Sequence, residues 1–193
     1  MHGGAEGIAH GLGRTTERIS RMGSHFDCPV FTVAGTNGKG STCAMLESIF
    51  RSAGLRVGMH TSPRMLRFNE RAWLLGREAT DEELCRVFEE VEEKRGDLIL
   101  SYFEFTALGI LKLFMDAKLD AVVLEIGLGG RLDALNSLDP TVSSVPPVGR
   151  AHTAFLGPDR ESIGREKAFV YRAAPCHAAV CADPAPPKSL LQH

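Results

Sequence analysis

The densest chemistry in the chain is the run Gly35-Thr36-Asn37-Gly38-Lys39-Gly40-Ser41-Thr42. Glycines let backbone N–H groups turn inward around phosphate oxygens, a following helix adds its positive end, and Lys39 supplies a compact charge for the outer phosphates. The common spacing G-x-x-x-x-G-K-[ST] is not met, because Val33 stands at its first position and Gly40 separates Lys39 from Ser41. The run is therefore a variant nucleotide loop, or else a glycine-rich turn that merely joins two elements. The second feature is Glu125, an acid near the end of the apolar stretch Ala121-Val122-Val123-Leu124-Glu125-Ile126 and just before Gly127-Leu128-Gly129-Gly130. An acid there needs a cation, and nucleotide enzymes use one on or near Mg²⁺; a neutral Glu125, or one paired with Arg131, is the alternative. Ser62 can offer its hydroxyl to the same ion or serve as a turn serine. Of seven histidines only His152 falls where chemistry is expected; His25, His60 and His177 read as surface or packing residues.

The elements that position these groups follow from periodicity. Residues 30–34 are a short β-prone run that feeds the glycine loop, and Met45, Leu46, Ile49, Phe50 and Ala53 recur at helical spacing until Gly54. Residues 55–60 predict a second strand, broken by Thr61-Ser62-Pro63, and 63–79 predict a loop with a strand near 71–75. Thr80 with Glu83 forms a capping box that opens an amphipathic helix to Arg95, and 103–117 predict a helix covered on nearly all sides. Strand 119–126 is apolar enough for a parallel sheet buried on both faces. The order predicts an α/β fold, an open and mostly parallel sheet with helices on both faces, with binding loops at the C-terminal strand ends. Beyond Pro140 the strand expected around 142–148 is disrupted by Pro146-Pro147. A helix is expected over 159–170, and the Ala- and Pro-rich segment 173–193 is expected to be a poorly ordered tail behind a 1–172 domain.

Composition limits the function classes. The 193 residues with 44% hydrophobic content suffice for a packed core, and 22 Lys and Arg against 24 Asp and Glu give a net charge of −2. No overall field draws the chain to nucleic acid or an anionic membrane, so any anion site is local. No apolar run approaches the roughly 20 residues of a membrane span, and no secretory signal is visible, so a cytoplasmic protein is expected. Five cysteines without a CxxC pair read as free thiols rather than a disulfide framework or zinc site.

Four ordered stretches, Phe31 to Thr42, Thr61 to Arg71, Phe103 to Phe105 and Leu124 to Asp133, resemble folylpolyglutamate synthase and the bifunctional dihydrofolate synthase of the Mur ligase superfamily. The resemblance covers about residues 12–188 and implies the P-loop NTPase-like central domain of that superfamily, truncated. It implies an ATP-dependent amide ligase: ATP phosphorylates a carboxylate of folate or dihydropteroate, and the amine of L-glutamate attacks the acyl phosphate. Catalysis would be positioning and charge neutralisation. Position by position, Gly35, Thr36, Asn37, Gly38, Lys39, Gly40 and Ser41 would cradle ATP, and Ser62, Glu125 and His152 would hold Mg²⁺. Lys167 matches a lysine carried as a carbamate, whose formation needs a pKa lowered by burial or by cations such as Arg165. Lys39, Lys167 and His152 are thus the implied catalytic residues. Ser101, Tyr102, Phe103, Glu104 and the loop Leu132, Asp133, Ala134 match stretches that contact the pterin end; capping and core packing are their other reading. Residues 11–19 resemble a substrate-facing opening segment. The chain departs from the family pattern at Arg64, at Ala151 before His152 and at Phe169, and the second ligase domain is expected to be absent. A small-molecule enzyme acting as a monomer is expected; the alternative is a non-catalytic fragment or pseudoenzyme that only binds nucleotide. A generic small-molecule kinase ranks below both.

Overall fold

The computed structural model of the chain describes residues 25–173 and 177–193, so the segment 11–19 and Cys176 lie outside it. Strand β1 (Val30–Val33) enters the glycine loop and α1 (Lys39–Ser52) leaves it. Strand β2 (Val57–His60) follows, then a 3₁₀ turn (Phe68–Arg71) and the hairpin β3 (Ala72–Leu74) and β4 (Arg77–Glu78). Helices α2 (Asp81–Arg95) and α3 (Tyr102–Asp116) precede β5 (Ala121–Glu125). A 3₁₀ turn (Ala134–Ser137) leads to β6 (Val142–Val145), then α4 (Thr153–Leu156), α5 (Arg160–Ala168), β7 (Ala178–Cys181) and α6 (Lys188–Leu191).

The seven strands form one sheet in the order β4-β3-β2-β5-β1-β6-β7. The five from β2 to β7 are parallel, and the hairpin β3–β4 extends one edge antiparallel. This is the open, mostly parallel sheet that the alternation of elements predicts. β5 is buried along its whole length. Its Val122 and Leu124 join the core beneath α2 and α3, while Val123 joins Val33, Cys43, Val57 and Met59 beneath α1. Helix α3 approaches α2 so closely that a Cβ on Gly109 would stand 2.4 Å from the Phe88 ring. Capping fixes the helix starts: Thr80 and Glu83 exchange backbone bonds of 3.2 and 2.8 Å, and Ser101 and Glu104 do the same.

Two expectations require correction. β6 is intact, with Phe31, Thr32 and Val33 paired to Val142, Ser143 and Ser144, because Pro146 and Pro147 follow its last residue and remove no ladder donor. The segment 173–193 is not a loose tail where it is described. Residues 178–181 pair in parallel with β6, and Leu190 of α6 is buried against the main core. Small residues there hide a strand whose pairing, rather than its composition, orders it. Since Phe114 is fully buried and touches the Cβ position of Gly58 on β2, Phe114→Ala is expected to cost about 3–5 kcal/mol. The urea midpoint measures this; a loss under about 1 kcal/mol would remove α3 from the central core.

Candidate nucleotide and metal site

Parallel pairing places Val33 opposite Glu125, so the loop leaving β1 and the acid ending β5 emerge side by side. Gly38 takes a left-handed conformation (φ 79°) that turns the chain into α1, and it supplies no side-chain cap. The first N–H groups of α1 are thereby left for an outside acceptor, the condition for anion binding at a helix start. The Lys39 ammonium lies 3.8 Å from Glu125 Oε1, with both side chains mostly buried. That is ion-pair range but too long for a hydrogen bond. Glu125 Oε2 accepts the Ser62 N–H at 3.1 Å. Burial pushes the Glu125 pKa up, while the Ser62 N–H and Lys39 oppose it. Arg131 is taken by Glu166 at 3.0 Å, which disposes of the Arg131 pairing for Glu125.

Lys167 reaches the same place from α5, donating to the Gly35 carbonyl at 2.8 Å. Burial lowers its pKa from 10.5 to about 8, and Lys39, not Arg165, is the cation that assists. The approach of α5 depends on Gly130, where a Cβ would stand 2.6 Å from the Glu166 carbonyl oxygen. Gly35, Thr36, Lys39, His152 and Lys167 line one small cleft of about 30 Å³ with Gly127, Leu128 and Gly129. His152 is exposed and left-handed (φ 52°) at the start of α4.

The residues matched to the pterin end are largely engaged with the protein itself. Ser101 and Glu104 cap α3, and the Tyr102 hydroxyl accepts from Arg64 at 3.0 Å. Phe103 packs edge-on to His60 and against Gly127. Leu132 is half-buried and Ala134 buried. The Asp133 carboxylate accepts N–H groups from Gly127, Leu128 and Leu135 at 2.9, 3.1 and 3.0 Å. It therefore organises the wall of the cleft, a role no spacing rule would have shown; burial raises its pKa to about 6 against those bonds. Glu70 was also unforeseen: it gathers the N–H groups of Met65, Leu66 and Arg67 at 2.6 to 2.7 Å and shapes the loop after Ser62.

No family model matches the chain. It is 47% identical over 181 residues to the dihydrofolate synthase/folylpolyglutamate synthase of Escherichia coli K12, covering 93% of this chain and 42% of that protein. The solved structure of E. coli FolC in complex with DHPP and ADP superposes with a TM-score of 0.91 at 46% identity, covering 94% of this chain and 44% of that one. The Yersinia pestis bifunctional enzyme, complexed with AMPPNP and a Mn ion, gives 0.90 at 48% identity, with 94% and 44% covered. The chain thus spans less than half the length of the relatives it matches.

The buried amine yields a prediction with a defined sign. Between pH 8 and 10.5 the native Lys167 is neutral while the unfolded one is protonated, so the unfolded state binds more protons and stability rises with pH. The stability difference between wild type and Lys167→Met in urea should therefore grow in favour of wild type across that interval. A difference independent of pH would contradict the burial.

Proposed function

This chain belongs to the folylpolyglutamate synthase/dihydrofolate synthase family as its N-terminal portion, and from that premise we propose that it binds ATP and activates a carboxylate for amide formation with L-glutamate. The acceptor is folate or dihydropteroate. The observation that carries this reading is that Lys39, at the uncapped start of α1, and Lys167 line one cleft, with the Glu125 carboxylate 3.8 Å from the Lys39 ammonium. ADP, AMPPNP and Mn in the relatives' structures support it. The enzyme is proposed to work in the cytoplasm on small molecules, as a monomer; no helix among the described residues is long and apolar enough to cross a membrane.

In this reading Gly35 to Ser41 receive the phosphates and Lys39 neutralises the outer ones. Mg²⁺ would be held by Glu125 with Ser62 and His152. The described residues contain no group of three or more His, Cys, Asp or Glu able to hold an ion alone. A single buried carboxylate whose Oε1 makes no hydrogen bond among the described residues suits Mg²⁺, which takes one or two carboxylates together with phosphates and water. Bound there, the ion would supply charge neutralisation on the phosphoryl oxygens. Lys167, with its pKa near 8, meets the need for a neutral amine in carbamate formation. Phe103 and Tyr102 offer ring faces for the pterin, Asp133 holds the adjoining loop, and Ser101, Glu104, Leu132 and Ala134 complete that end. Phosphorylating the acceptor carboxylate replaces a poor oxide leaving group with phosphate, and alignment of the glutamate amine does the rest.

A second reading, a nucleotide-binding chain without turnover, is favoured by one observation. The N–H groups of Thr36 and Asn37 point to the Pro147 carbonyl at 3.1 and 3.5 Å rather than into the loop. Glutamate-dependent release of ADP with a dihydropteroate or folate acceptor separates the two readings: amide product supports the ligase, and Mg-ATP binding without product supports the second. Lys39→Ala should abolish nucleotide binding, whereas Glu125→Gln should retain it and lose its Mg²⁺ dependence. Calorimetric titration checks both, and unchanged ATP affinity in Lys39→Ala would contradict the site.

A further inference from the structure

Beyond Val145 the β6 ladder ends at two residues that have no N–H, yet the next peptide groups are buried. Val148 is 3% exposed. Its N–H donates to Asp183 Oδ2 at 2.7 Å and its carbonyl accepts from Arg160 Nε at 2.7 Å. Arg160 and Asp183 are themselves paired at 3.0 Å, and the Asp183 side chain is 3% exposed. Asp183 Oδ1 takes the Ala185 N–H at 2.9 Å, and Arg160 also donates to the Ala185 carbonyl at 3.0 Å. One ion pair thus satisfies both backbone groups of a residue that the sheet cannot reach.

The held segment is also the outer rail of the glycine loop. Pro147 accepts from the Thr36 and Asn37 N–H groups, the Thr36 hydroxyl donates to the Gly149 carbonyl at 3.0 Å, and the Pro146 ring lies 3.2 Å from where a Cβ on Gly35 would be. We propose that Arg160 and Asp183 are positioning residues for the nucleotide loop: they clamp 146–149, and 146–149 sets the course of Gly35 to Asn37. This deepens the nucleotide-binding reading and rests on it. Because the clamp lies outside the cleft lining, it acts through backbone placement and touches no ligand.

The test pairs two measurements on the full chain. In Asp183→Asn and Arg160→Lys, amide exchange followed by NMR should lose at least tenfold protection at Thr36 and Val148 while Val122 and Leu124 keep theirs. Mg-ADP affinity by calorimetry should fall about 5- to 10-fold. The milder Arg160→Lys keeps the charge and guards against a variant that fails to fold. Protection lost evenly over the sheet would show a merely structural pair and overturn the proposal, as would unchanged exchange at Thr36 or unchanged Mg-ADP affinity in a folded variant. Should the wild type bind no Mg-ADP, the nucleotide reading fails, while the exchange arm still decides whether the pair sets the loop.

Discussion

The approach of Lys39 to Glu125, 3.8 Å between a half-buried ammonium and a buried carboxylate, is the constraint around which the rest is arranged. Burial disfavours the Glu125 charge, and removing its cationic partner leaves that charge uncompensated. The distance follows from backbone pairing, not from side-chain reach. β1 and β5 are parallel neighbours with Val33 level with Glu125, so the first turn of α1 is laid over the acid. Gly40 shows how close: a Cβ there would stand 3.7 Å from Glu125 Oε2. Because the contact is longer than a hydrogen bond, it balances charge without using up the oxygen that a metal ion would need.

Neighbouring elements serve the same corner. The Ser62 N–H fixes one Glu125 oxygen from the end of β2, and Asp133 ties Gly127 and Leu128 into the wall beyond β5. Gly130 lets α5 come near enough for Lys167 to reach Gly35. Lys39 and Lys167 on the lining make a locally cationic cleft in a chain of net charge −2, which is how a nearly neutral protein presents an anion site.

The parts legible in the sequence are those governed by short-range rules. The loop composition, the capping box at Thr80 and the unbroken apolar run of β5 each declare their element without tertiary help. What was not legible depends on partners far along the chain. Pro146 and Pro147 read as a broken strand because a local rule does not reveal where the ladder ends. Ala178 to Cys181 read as a tail because a small-residue edge strand is ordered by the strand beside it. Within the site, Glu125 was visible by position and Lys167 only through the family resemblance, but that Lys39 and not Arg131 or Arg165 faces them is a matter of register and helix placement. Asp133 was visible as a residue and invisible as an organiser of backbone.

The central claim is that the loop after β1 and the acid ending β5 act on one ligand. Backbone amide shifts recorded while Mg²⁺ and a non-hydrolysable ATP analogue are added test it most directly. Coincident saturable shifts at Gly38, Lys39, Gly40 and Ser41 together with Ser62 and Glu125 are predicted. Shifts confined to the loop with Ser62 and Glu125 unmoved, or clustered on the opposite ends of the strands, would contradict it.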